Sequence, residues 1–108
     1  MENRDIEDKK TIERILKATG ITPKQIILLK KILELEKDEQ RIHHIELYPP
    51  VFPRGYLAEV YLLKNFQDMD EFKNYLSEHN LPVEKTWREG NSYFLENEKI
   101  KAYFYKPS

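Results

Sequence analysis

The hydrophobic period of this chain changes near residue 41, and that change limits the fold more than any other feature. Upstream, apolar side chains recur every three to four residues, as one face of a helix requires. Downstream, short runs alternate between apolar and polar, as half-buried strands do, with a single helical interruption. The order reads as two helices, two strands, one helix and three strands. That is the pattern of an α+β domain: an N-terminal helical hairpin followed by a mostly antiparallel sheet with one further helix packed on it. The 108 residues fit a single domain, 1–108, with residues 1–7 polar and frayed.

The upstream boundaries are written in local chemistry. Ile12, Ile15, Leu16 and Thr19 share one face of a helix from Asp8 to Thr19, and Gly20 ends it. Thr22 then offers an N-cap, Pro23 takes the first helical position, and Gln25 completes a capping box. The second helix is predicted from Pro23 to about Gln40. Ile26, Leu28, Leu29, Ile32, Leu33 and Leu35 fill half of its circumference. A stripe that wide needs cover on two sides, from the first helix and the sheet or from a partner, and it offers a route to a homo-oligomer.

Downstream, "YPPVFPRG" holds three prolines and a glycine and must be a loop. It separates strands expected at His43–Tyr48 and Tyr56–Lys64. Asp68 caps a helix with Glu71 three residues on, and Met69, Phe72, Tyr75 and Leu76 form its apolar face. Asn80 and Pro82 end it. Strands follow at Val83–Arg88, Asn91–Leu95 and Lys99–Tyr105, with turns at "EGN" and "ENE".

Composition removes whole classes of function. The chain has no cysteine, which excludes disulfides, thiolate metal sites and cysteine nucleophiles. With three glycines it has no phosphate-cradling loop. No Ser or Thr lies in a nucleophile-elbow context. His43 and His44 are adjacent, so on a regular strand they face opposite ways and do not share a metal ion. No catalytic residue, metal site or cofactor is expected. No apolar run is long enough to cross a bilayer, and "MENRDIEDKK" lacks the apolar core of a signal peptide. A cytoplasmic location without a membrane partner is the expectation. The chain is 34% charged, yet its net charge is −1, so it is neither a strongly basic nucleic-acid binder nor an acidic mimic of one.

Two patterns bear on binding. The helical hairpin has the outline of a helix-turn-helix, with the terminal "NSYFLENEKIKAYFY" as a candidate wing. Its second helix, however, offers Lys24 and Gln25 and then at once "IILL", where a recognition helix needs polar residues. A hairpin that merely packs is the commoner use of this pattern. The other pattern is "KIKAYFYK". Alternation places Lys99, Lys101, Tyr103 and Tyr105 on one face and Ile100, Ala102 and Phe104 in the core. Tyr61 joins the first set if Ala58, Val60 and Leu62 point inward. Aromatics beside lysines suit stacked bases or a protein interface, although shielding of an ordinary sheet is more frequent. The expected function is a small non-enzymatic binding module: an adaptor, regulator or inhibitor of a larger protein. Tyr61, Lys99, Lys101, Tyr103 and Tyr105 would be its partner-binding residues, with the lysines steering an acidic partner. Nucleic-acid binding through the hairpin or the Lys/Tyr face is the alternative.

Overall fold

The computed structural model describes residues 22–48 and 56–107. The helix expected over Asp8–Thr19 lies outside the described residues, so the helical hairpin is not shown, and among the described residues one α-helix precedes the sheet. That helix, α1 (Pro23–Glu34), starts as its sequence demands. Thr22 is extended, its Oγ1 accepts from the Gln25 N–H at 3.2 Å, and Gln25 Oε1 accepts from the Thr22 N–H at 2.9 Å. Gln25 does a second job. Its Nε2 donates to the Glu98 carbonyl at 2.6 Å, fixing the start of the helix to a distant turn. Helix α1 is shorter than the expected run to Gln40. Its last turn tightens into a 3₁₀ turn, Leu35–Lys37, and Asp38 leaves the helical region at ψ 80°. The tightening turns Leu35 into the core, and the Asp38 carboxylate accepts from the Tyr75 hydroxyl at 2.9 Å.

Five strands form one sheet: β1 (Ile42–Tyr48), β2 (Tyr56–Leu62), β3 (Lys85–Glu89), β4 (Ser92–Asn97) and β5 (Ile100–Tyr105). Their spatial order is β1-β2-β5-β4-β3. Three neighbouring pairs are antiparallel, and β2 with β5 is parallel. Between β2 and β3 runs α2 (Met69–Glu78), capped by Asp68 Oδ1, which accepts from the Glu71 N–H at 2.9 Å. Asn80, at φ 57°, turns the chain out of that helix, and the Leu81 N–H returns to the Leu76 carbonyl at 3.0 Å.

Among the described residues, one face of the sheet is covered and the other is not. Ala58, Val60, Leu62, Tyr93, Leu95, Ile100, Ala102 and Phe104 are buried in one cluster with Leu28, Leu29, Ile32 and Leu35 of the first helical segment and Phe72, Tyr75 and Leu76 of α2. Each Val, Leu, Ile or Phe among them contributes roughly 1.5–3 kcal/mol on leaving water. Phe66, in the loop before α2, sits among Phe72, Tyr75, Tyr93 and Phe104 at ring separations of 5.1–6.3 Å. The wide stripe of α1 therefore goes largely into the core. Ile26 and Leu33 pack at its margin, and Ile27 stands 54% exposed.

Two hairpin details depart from the sequence reading. The β4–β5 turn is Glu98–Lys99, not "ENE", because β4 continues through Asn97. Asn97 is buried, and its Nδ2 donates to the Pro82 carbonyl at 2.9 Å. Both turn residues have positive φ (50° and 63°), as a two-residue hairpin loop of matching twist requires. In β1, Ile42 pairs with Leu62 and His44 with Tyr61, which leaves His43 as an extra, bulged residue. Ile42 and Ile45 are both buried although three residues apart, and the bulge is what allows it. It also overturns the expectation that His43 and His44 face opposite sides: their rings meet edge to face, with the two Nδ1 atoms in contact.

Candidate functional site

Strand alternation leaves the uncovered face to the other set of side chains. Six rings on it form a continuous row that crosses all five strands. Trp87 stacks on Phe94 with centroids 5.0 Å apart and planes 3° off parallel. Phe94 stacks on Tyr103 (4.8 Å, 12°) and Tyr103 on Tyr105 (4.6 Å, 15°). Tyr105 meets Tyr61 at 5.1 Å and 49°, and Tyr61 stacks on His44 (4.1 Å, 14°). All six side chains are half-buried. Atoms of neighbouring rings approach no closer than about 3.5 Å, so parallel rings at these separations stand on edge rather than lie flat. Their π faces are turned to each other, and the outside of the row presents ring edges and tyrosine hydroxyls. The Nζ atoms of Lys85 and Lys101 lie 5.2 and 5.7 Å from the Trp87 ring centre, at the end of the row.

Charge on this face is arranged in two ways. On β3, β4 and β5, Lys85 is opposite Glu96, and Glu96 is opposite Lys101. On β1 and β2, Glu46 is opposite Glu59. Two tyrosines bind that carboxylate pair. The Tyr48 hydroxyl donates to Glu46 Oε2 at 2.5 Å and lies 3.3 Å from Glu59 Oε2. The Tyr61 hydroxyl donates to Glu59 Oε2 at 2.6 Å and lies 3.4 Å from Glu46 Oε2. His44 Nε2 is 3.3 Å from Glu46 Oε1. The Tyr48 hydrogen bond holds the Glu46 carboxyl below the usual carboxylate range. The same bond pushes the Tyr48 phenol up to about 12. The bond to Glu59 raises Tyr61 well above the ordinary phenol range.

Of the residues proposed from sequence, Tyr61, Lys101, Tyr103 and Tyr105 share this face, and alternation was enough to find them. Lys99 does not join the strand. It lies in the β4–β5 turn, because the turn is Glu98–Lys99 and so ends one residue later than "ENE". The sequence reading also missed Trp87, Phe94, His44 and the Glu46–Glu59 pair. Alternation in "KTWRE" signals Trp87. Phe94 was hidden by its neighbour: Tyr93, the more polar residue, goes into the core, with its hydroxyl on the Phe66 carbonyl at 3.3 Å. The β4–β5 hairpin cannot serve as a protruding wing, since β5 is the central strand and β4 lies beside it.

A polar cleft beside α2 is lined by Arg41, Asp68, Asp70, Glu71 and Glu78 among others. Arg41 is already committed there. Its Nη1 donates to the Lys64 and Asn65 carbonyls at 3.2 Å and to Glu71 Oε1 at 3.3 Å, and its guanidinium lies 4.5 Å from the centre of the Phe66 ring. Among the described residues, no group of three or more His, Asp or Glu is placed to hold a metal ion, and no helix is long and apolar enough to cross a membrane. No family model, no curated protein and no solved structure matches this chain.

Proposed function

We propose that this protein is a non-enzymatic binding module that docks another protein on the uncovered face of its sheet. The observation that supports this is the ring row itself, six half-buried aromatic side chains across five strands with no helix over them among the described residues. Large, rigid rings give contact area at low entropic cost, and aromatic residues concentrate in protein interfaces. Base stacking is the poorer fit. A single-stranded nucleic acid needs free π faces, and in this row the faces are turned inward. The carboxylates of Glu46, Glu59, Glu89 and Glu96, set against Lys85 and Lys101, also repel phosphate.

The test is to purify a partner captured by the full chain and to add it to isotope-labelled protein. Amide signals of Phe94, Tyr103, Tyr105 and Tyr61 are expected to shift together. Shifts confined to α1 or α2 would overturn the docking reading. So would specific binding of oligothymidine on the ring row at about 10⁻⁸ M, the range of specific nucleic-acid complexes at physiological salt.

A further inference from the structure

We infer that the docked partner seats a cationic side chain, an arginine or a lysine, on the Glu46–Glu59 pair while its apolar part covers the neighbouring rings. The inference rests on the docking reading above and specifies the chemistry of the partner. It begins from an imbalance. Along β3, β4 and β5 opposite charges are direct neighbours in the register. At Glu46 and Glu59 like charges are direct neighbours, an arrangement that opposes folding. Among the described residues, no Lys or Arg lies within ion-pair distance of either carboxylate, and the one basic neighbour is His44. The surplus negative charge of the face is thus concentrated at one end of the ring row, and this reverses the acidic partner expected from the lysines alone.

The geometry around the pair suits a planar cation. Both tyrosine hydroxyls donate to Oε2 atoms and His44 Nε2 lies 3.3 Å from Glu46 Oε1, which leaves Glu59 Oε1, among the described residues, for an incoming donor. Beside Glu59, the Tyr61–Tyr105 joint is the splayed one in the row, 49° against 15° or less at the other joints. A guanidinium can bridge two carboxylates through its fork of N–H groups and still lie against a ring. A nucleic acid would bring phosphates to the pair and would not relieve it. A second copy of this face turned end for end would set Lys85 and Lys101 against the pair, and sedimentation separates that occupant from a foreign partner.

A random dodecapeptide library displayed on phage is selected against the full chain, and the enriched peptides are measured against wild type and the E46Q/E59Q variant. The expected peptides carry Arg or Lys beside an apolar residue and shift amide signals of β1, β2 and β5. They bind the variant roughly tenfold more weakly, and their affinity for wild type falls as salt is added. The variant loses a like-charge contact and also two short hydrogen bonds from phenols to carboxylates, so its fold is checked by thermal melting before the affinities are compared. Peptides without basic residues, or peptides that bind both proteins equally at the ring row, would overturn the inference and leave the docking reading standing. Enrichment of no peptide for the ring row, or concentration-dependent self-association through that row in sedimentation, would overturn both.

Discussion

Gln25 shows how much one side chain can carry. It closes the capping box of α1 and, through its other amide atom, holds the Glu98 carbonyl of the β4–β5 turn. Half of this was legible in the sequence: a Thr-Pro-x-Gln run announces the cap because capping is settled within four residues. The contact across 73 residues was not, because no local rule reaches that far. The two functions separate by substitution. Gln25→Ala removes both bonds and is expected to cost about 1–2 kcal/mol. Gln25→Glu keeps an acceptor for the Thr22 N–H but sets a carboxylate against a carbonyl, so it should remain destabilised. Urea denaturation of both variants checks this; a Gln25→Glu protein as stable as wild type would show that the tie to Glu98 contributes nothing. Phe104 makes the matching case in the core. Truncation to Ala is expected to cost about 3–5 kcal/mol by thermal melting. Tyr103→Ala, which loses two stacked neighbours but no core contact, should cost about 1–3 kcal/mol. The stacked row makes that figure larger than a solvent-shielding tyrosine would imply.

At the level of elements, existence and type were readable, and ends and registers less so. Helix α1 stops at Glu34 because the chain tightens to bury Leu35, a demand of packing that no propensity announces. The bulge in β1 left a trace that is easy to read past: Ile42 and Ile45, three apart in a strand and both apolar. If His43 is the extra residue, deleting it joins Ile42 to His44 and leaves every other pair of β1 with β2 in place. That deletion should leave the thermal midpoint within a few degrees of wild type. Deleting Glu46 instead turns Leu47 and Tyr48 to the wrong faces, and should lower the midpoint much further. Equal damage from the two deletions would contradict the bulge assignment. The same reasoning explains how alternation found Tyr61, Tyr103 and Tyr105 yet missed Phe94. Alternation says which residues travel together, not which set faces the core, and polarity pointed the wrong way for Tyr93 and Phe94.

Across the whole molecule, the parallel pairing of β2 with β5 was the feature least accessible from sequence, since it joins strands that are far apart in the chain and have no turn between them. It gives the fold an unusual order of assembly. The first two strands pair with each other, the next two pair with each other, and the strand between the two hairpins is the last of the five to leave the ribosome. Until residues 100–105 emerge, the nascent chain holds two separate hairpins, each of marginal stability in water. Sheet closure must then wait for translation to pass β5, and the bare flanks of β2 and β4 stay open to chaperones or to each other during the wait. A chain stopped at residue 98 is accordingly expected to lack a cooperative thermal transition, and a synthetic peptide of residues 99–107 added to it should restore one. Independent cooperative melting of the truncated chain would show that one hairpin and its helix suffice as a folding unit.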